Sequence, residues 1–366
     1  MITVHKEEVY INDNPIKDRY FTENCVFFDI ETTGFSPKTS TLYLIGLSYR
    51  VENTIHVEQY FAEERAEEKN IIEKFIEKLT TFDTIITFNG VGFDIPFIIA
   101  KCNSYSIPQY FSKYKYLDIF KEVSSVKKIL NLENYKQKTI ERFLGLLRDD
   151  EYNGGELINI YQEYVKTPTS EALDLLLLHN YEDVLGMNNL LPVLSYKELF
   201  NNRFDISGTE VKEYNDYHGI AKKELYISLK NHYNVPKHIF CKSGELYISI
   251  KDSEASIRIP IVEDTLYFFY PNYKDYYYLP DEDTAIHKSV AKFVDSDHRE
   301  KCHAYNCYTR KQGEFLVQHS NIMNPAFRKV HNSKESYFEI SEDFLSSKEL
   351  VKKYVENILN TFVSNK

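Results

Sequence analysis

The stretch VFFDIETTG at 26–34 holds the first pair of groups able to do chemistry. Val26, Phe27 and Phe28 read as a buried β-strand. Side chains alternate along a strand, so Asp29 and Glu31 project from one face, side by side. Two carboxylates that close repel unless a cation stands between them, and hard divalent ions that take oxygen ligands are the usual answer. Thr32, Thr33 and Gly34 continue as a turn whose backbone can approach a ligand. The alternative is a strand that simply ends in two solvated acids.

Two further groups lie downstream. Asp94, in NGVGFD, falls where the apolar run DTIITF (83–88) hands over to a helix. Asn89 and Gly90 supply the turn, and Phe93 packs either beneath Asp94 or against a substrate base. An acid at a helix N-terminus is also favoured by the helix dipole alone, as a cap. In LLLLHNYEDVLGM (175–187), His179 and Asp183 stand four apart and share a helix face. The leucines before them place that face at the rim of a core. As chemistry, Asp183 is a metal ligand and His179 orients or deprotonates a water; without it, they are a surface pair.

Positioning such distant acids asks for a sheet. Strands are expected at 25–31, 41–51 and 54–62, then a helix at 64–80, then strands at 83–88 and 115–120, each followed by a helix. That order gives an α/β class: a mixed five-stranded sheet with a meander and two crossovers, flanked by helices. Residues 1–24 read as a polar leader. From 121 to 191 the pattern is helical, broken by a loop at 148–155 (RDDEYNGG). A long helix covers 169–190, with Ser170 as its N-cap and Pro192 to end it. A boundary near 196–215 separates a domain at 1–200 from a smaller α+β domain at 201–366.

This combination resembles the DEDD superfamily of 3′–5′ exonucleases, whose domain has the ribonuclease H-like fold. Its DxE motif is matched by Asp29 and Glu31, its NxxxFD motif by Asn89, Phe93 and Asp94, and the Asp of its third motif by Asp183. In the family that last Asp follows a Tyr four residues back or a His five back. Here His179 is four back and Leu178 five back, so one spacing carries the other residue type. The mixture is similar to the YprB-like bacterial branch, as is KTIERFLGLLRDD (138–150) followed by GGELINIYQEY. The resemblance spans residues 20–195. It implies hydrolysis of single-stranded DNA or RNA from the 3′ end, with Asp29, Glu31, Asp94 and Asp183 holding two Mg²⁺ or Mn²⁺ ions. Asp29 would bridge the ions and His179 would orient the attacking water. Thr32 and the backbone at Thr33 would touch the terminal nucleotide, with Phe93 against its base. No small-molecule cofactor is implied. A second reading keeps the fold but makes the chain a nucleic-acid-binding adaptor with little turnover.

The net charge of −11 argues against bulk attraction to a polyanion, yet it is uneven. Residues 1–200 hold 21 Lys and Arg against 31 Asp and Glu, whereas residues 287–334 hold nine against four. Within that basic stretch, Lys288 and Arg299 are candidate contacts for a substrate strand; the alternative is a solvated face. The aromatic run TLYFFYPNYKDYYYLP (265–280) is either a stacking platform for bases or the core of a small β-structure, with Tyr276, Tyr277 and Tyr278 the expected exposed rings. His298, Cys302, His303 and Cys307 can be drawn as a zinc site, but their spacing is no ligand pattern. Five cysteines without framework spacing, an N-terminus unlike a signal peptide and no apolar run of about 20 residues point to the cytoplasm and away from a membrane.

Overall fold

The computed structural model describes residues 1–149, 152 and 154–363, so Asp150, Glu151 and Asn153 of the expected loop at 148–155 lie outside the described residues. The chain divides into two compact units: Met1–Leu199 with Tyr233–Lys237, and Phe200–His232 with His238–Lys366.

The first unit runs β1 (Ile2–Val9), α1 (Ile16–Tyr20), β2 (Cys25–Thr32), β3 (Leu42–Val51), β4 (Thr54–Phe61), α2 (Glu68–Leu79), β5 (Thr84–Thr87), α3 (Asp94–Tyr105) and β6 (Lys115–Asp118). Helices α4 (Ile119–Ser124), α5 (Lys127–Leu130), α6 (Gln137–Leu144), α7 (Gly154–Lys166), α8 (Ser170–Leu190) and α9 (Leu194–Phe200) follow. The strands form one mixed sheet in the order β1-β4-β3-β2-β5-β6. Pairing is antiparallel from β1 through β2 and parallel across β2-β5-β6. This is the expected ribonuclease H-like α/β class with six strands instead of five. The sixth is β1, inside the stretch that reads as a polar leader. It pairs with β4 at the sheet edge and stays largely exposed, so nothing requires its sequence to show an apolar face.

Alternation on β2 sorts the two faces of the sheet. Val26, Phe28 and Ile30 enter a core with Ile71, Ile72 and Phe75 of α2 and Ile98 of α3. The Phe28 and Phe75 rings lie 4.9 Å apart. Asp29 and Glu31 point to the other face, opposite Gly46 and Leu44 of β3. There Leu44 and Phe61 pack with Leu157 and Tyr161 of α7 and Leu176 of α8. The N-cap of α8 is Thr169, one residue before the expected Ser170; its hydroxyl accepts from the Ala172 amide at 3.2 Å. Pro192 follows the helix, in a short 3₁₀ turn.

In the second unit β7 (Phe204–Asn215), β8 (Ala221–Ser243) and β9 (Leu246–Pro260) form one sheet. Strands β10 (Val262–Phe269), β11 (Tyr276–Leu279), β12 (Thr284–His287), β13 (Glu300–Lys301), β14 (Tyr308–Gln318) and β15 (Ser336–Glu339) supply two more, β10-β14-β15 and β12-β11-β13. Helices α10 (Lys288–Ala291), α11 (Glu342–Ser346) and α12 (Lys348–Val363) complete it. Tyr276, Tyr277 and Tyr278 are half-buried: Tyr276 stacks on Tyr270 at 4.2 Å and the Tyr278 hydroxyl donates to Asp283 at 2.7 Å. Cys302 and Cys307 are buried beside Ala285, while His298 faces Asp281 at 2.8 Å. Among the described residues no helix is long and apolar enough to cross a membrane.

Phe75 is fully buried against β2, so Phe75→Ala is expected to lower stability by about 3–5 kcal/mol. Urea denaturation measures this, and a loss below about 1 kcal/mol would mean the sheet is not held by this contact.

Candidate metal centre

The acids reach one place from three elements. β2 presents Asp29 and Glu31, and its pairing with β3 shifts register between Glu31 and Thr32, where the ladder ends. β5 leads into a turn at Asn89, which takes a left-handed conformation (φ 63°) that asparagine tolerates better than most residues. Asp118, at the end of β6, ties that turn down. Its carboxylate accepts from the amides of Asn89 (2.9 Å) and Val91 (3.2 Å) and caps α4 through the Lys121 amide (3.3 Å). Asp94 then opens α3, and its Oδ1 accepts from the Ile30 amide at 3.2 Å, which lays it against β2 between Asp29 and Glu31.

The third element is α8. His179 Nε2 lies 3.5 Å from Glu31 Oε1 and 3.3 Å from Asp183 Oδ2. Glu31, His179 and Asp183 each offer a ligand atom, all within 4.8 Å of one another. Asn180, beside His179, is fully buried. Its Nδ2 donates to Asp29 Oδ2 at 3.3 Å, and its Oδ1 accepts from Gln59 Nε2 at 3.0 Å. Gln59 also donates to the Leu177 carbonyl at 2.8 Å. The close approach needs Gly46: a Cβ there would stand 1.9 Å from Asn180 Oδ1. Arg148, from the connection after α6, donates to Asp183 Oδ1 and lies 3.2 Å from Glu141.

Repulsion is written into the protonation behaviour. Asp29 is pushed well above the usual carboxylate range, first by desolvation, then by Asp94, Asp183 and Glu31; Asn180 opposes. Asp94 is raised to about 7, chiefly by burial, with the Ile30 amide opposing and Asp118 and Asp183 adding. Tyr43, whose buried hydroxyl has no hydrogen-bond partner among the described residues, is raised by burial and then by Glu31. The carboxylate oxygens make a hard donor set that suits Mg²⁺ or Mn²⁺, and an added cation would relieve the repulsion.

Of the other expected site residues, Thr32 donates its hydroxyl to the Gly34 carbonyl at 3.0 Å, and Thr33 Oγ accepts from the Thr41 amide at 2.8 Å. Both shape the turn that follows the acids. Phe93 packs on Phe97 (5.6 Å) and edge-on to the exposed Phe35 (6.1 Å). Lys288 and Arg299 belong to the second unit, where Arg299 donates to the Ala291 carbonyl and lies over the Tyr277 ring at 5.1 Å. Sequence reasoning missed Asn180, Asp118 and Arg148. Asp118 carried the same signal as Asp29, an acid closing an apolar strand.

A family model described as RNase_H superfamily matches residues 26–195. No curated protein matches the chain. Among solved structures, the chain is similar to the family B DNA polymerase from the archaeon Pyrobaculum calidifontis, at 17% identity and TM-score 0.37 over 46% of this chain and 24% of that one. It is also similar to E. coli exonuclease I in complex with a dT13 oligonucleotide, at 12% identity and TM-score 0.30 over 57% and 55% of the two chains. The chain thus spans about a quarter of the polymerase and just over half of the exonuclease.

Two outcomes are expected. Gly46→Ala forces Asn180 away from Asp29 and lowers stability by about 1–3 kcal/mol, read by urea denaturation. The second is a pH dependence of the metal-free protein. Asp94 has a folded value near 7 against 3.8 unfolded, so between these values the folded chain binds more protons. The Asp94 contribution to stability is therefore fully present in acid and is lost, by on the order of a few kcal/mol, as pH rises through about 7. Thermal melts of Asp94→Asn in EDTA should show a flatter profile; an unchanged slope would count against the assignment.

Proposed function

We propose that this chain, whose residues 26–195 match the RNase_H superfamily model, is a metal-dependent 3′–5′ exonuclease hydrolysing phosphodiester bonds of single-stranded DNA or RNA. The observation that most supports this is the meeting of Asp29, Glu31, Asp94 and Asp183, from β2, α3 and α8, beside His179. These four acids would hold two Mg²⁺ or Mn²⁺ ions. Bound there, the ions supply a more acidic water and a positive clamp on the phosphoryl oxygens.

The chain's own residues supply orientation and proton handling. His179, with Nε2 between Glu31 and Asp183, orients the attacking water and takes its proton when the imidazole is neutral. Asn180 holds the Asp29 carboxylate in place. Thr32 and the backbone at Thr33 line the approach of the terminal nucleotide, with Asn89 setting the turn before Asp94. Phe93, with Phe35, offers an aromatic surface to its base. In the second unit, Lys288 and Arg299 are proposed phosphate contacts of a nucleic-acid strand. A reducing, cytoplasmic setting fits the five free cysteines.

The test is a 5′-labelled single strand incubated with Mn²⁺. A ladder that shortens from the 3′ end, stops in EDTA and leaves a circular single strand intact is expected. Asp29→Asn and Asp183→Asn should each slow it by about 100-fold or more. Digestion by Asp29→Asn at the unmodified rate would reject the reading in favour of a contaminating activity, and absence of digestion with retained strand binding would favour an adaptor.

A further inference from the structure

Arg148 stands at the edge of the acid cluster, outside every role given above. Its guanidinium donates to Asp183 Oδ1, lies 3.2 Å from Glu141 and 3.5 Å from Glu182, and its side chain is only 11% exposed. Glu141, from α6, is still more deeply buried, and burial pushes its carboxyl up while Arg148 opposes. Gly186 on α8 lets it come close: a Cβ there would lie 2.9 Å from Glu141 Oε1. A glycine inside a helix costs about 1 kcal/mol relative to alanine, so this approach comes at the expense of the helix itself. Gln137, also on α6, donates to Glu141 Oε1 at 3.0 Å and to the Asp183 carbonyl at 3.1 Å.

The guanidinium is therefore braced by Glu141 and Glu182 and aims one nitrogen at Asp183. The second oxygen of Asp183, Oδ2, is the one turned toward His179. A carboxylate rotates in a broad torsional well, so without a partner it would not present one oxygen consistently. Resting on the metal-centre reading above, we infer that Arg148 is a positioning residue that clamps one oxygen of Asp183 so that the other faces the metal. Its planar fork can engage Glu141 and Asp183 together, which an ammonium cannot do in the same geometry. Outer partners of this kind commonly change metal affinity by about 10–100-fold. The competing effect is charge: a fixed cation beside Asp183 repels an incoming one.

The experiment titrates Mn²⁺ alone into the full chain by calorimetry, for wild type, Arg148→Lys, the double variant Arg148→Gln/Glu141→Gln and Asp183→Asn. Metal-free thermal melts and circular dichroism accompany each. Removing Arg148 alone strands a buried Glu141, so the double variant guards against simple unfolding. The expected result is a folded Arg148→Lys that loses about 10-fold in Mn²⁺ affinity, and a double variant that loses about 10–100-fold, at the site that Asp183→Asn abolishes. Folded variants that bind Mn²⁺ as wild type does, or more tightly, overturn the inference and leave the metal centre standing. A wild type that binds no Mn²⁺ overturns both.

Discussion

Like charges gathered in a half-dry pocket repel, and the surroundings of Asp29, Glu31, Asp94 and Asp183 answer that repulsion group by group. Asp94 takes the amide of Ile30, Asp29 takes the amide side chain of Asn180, Glu31 faces the His179 ring and Asp183 takes Arg148. Each donor comes from a different element than the acid it serves, except for the His179 that Asp183 shares along α8. Holding the acids together and holding the elements together are thus the same set of contacts. A single buried donor is worth little to global stability but much to the direction in which a carboxylate points.

The sheet grips α8 by its backbone as well as its side chains. Ser48 on β3 donates to the Val184 carbonyl at 3.0 Å, and Gln59 on β4 donates to the Leu177 carbonyl at 2.8 Å. These bonds lie on either side of His179, Asn180 and Asp183 along the helix. They fix its axial position against the strands, so three side chains of the candidate site are registered to the sheet through bonds to the helix backbone. Gly46 closes the fit, since any side chain there would displace Asn180.

What could be read from the sequence was whatever spacing encodes locally. The two-residue period placed Asp29 and Glu31 on one face, and the four-residue period joined His179 to Asp183. The apolar runs gave most of the central sheet. β1 escaped because an edge strand needs no apolar face, and the long β8 escaped because charged residues interrupt it. Asn180, Gly46 and Arg148 escaped for another reason: each acquires its meaning from a partner far away in the chain. A glycine in TLYLIGLSYR signals a close approach in general but does not say that an amide side chain from α8 fills the space. The shift of the α8 cap from Ser170 to Thr169 is smaller, two adjacent hydroxyls competing for one amide.

Arg148 belongs to neither a helix nor a strand; it hangs on the connection between α6 and α7, held by side-chain ion pairs. Connections open at lower free energy than the sheets they join. Local opening at Arg148 would release Asp183 from the guanidinium while the six strands stay zipped and their amides remain protected from solvent exchange. The orientation of the Asp183 carboxylate and global foldedness would then be separate quantities, the first ebbing with mild denaturant well before the second.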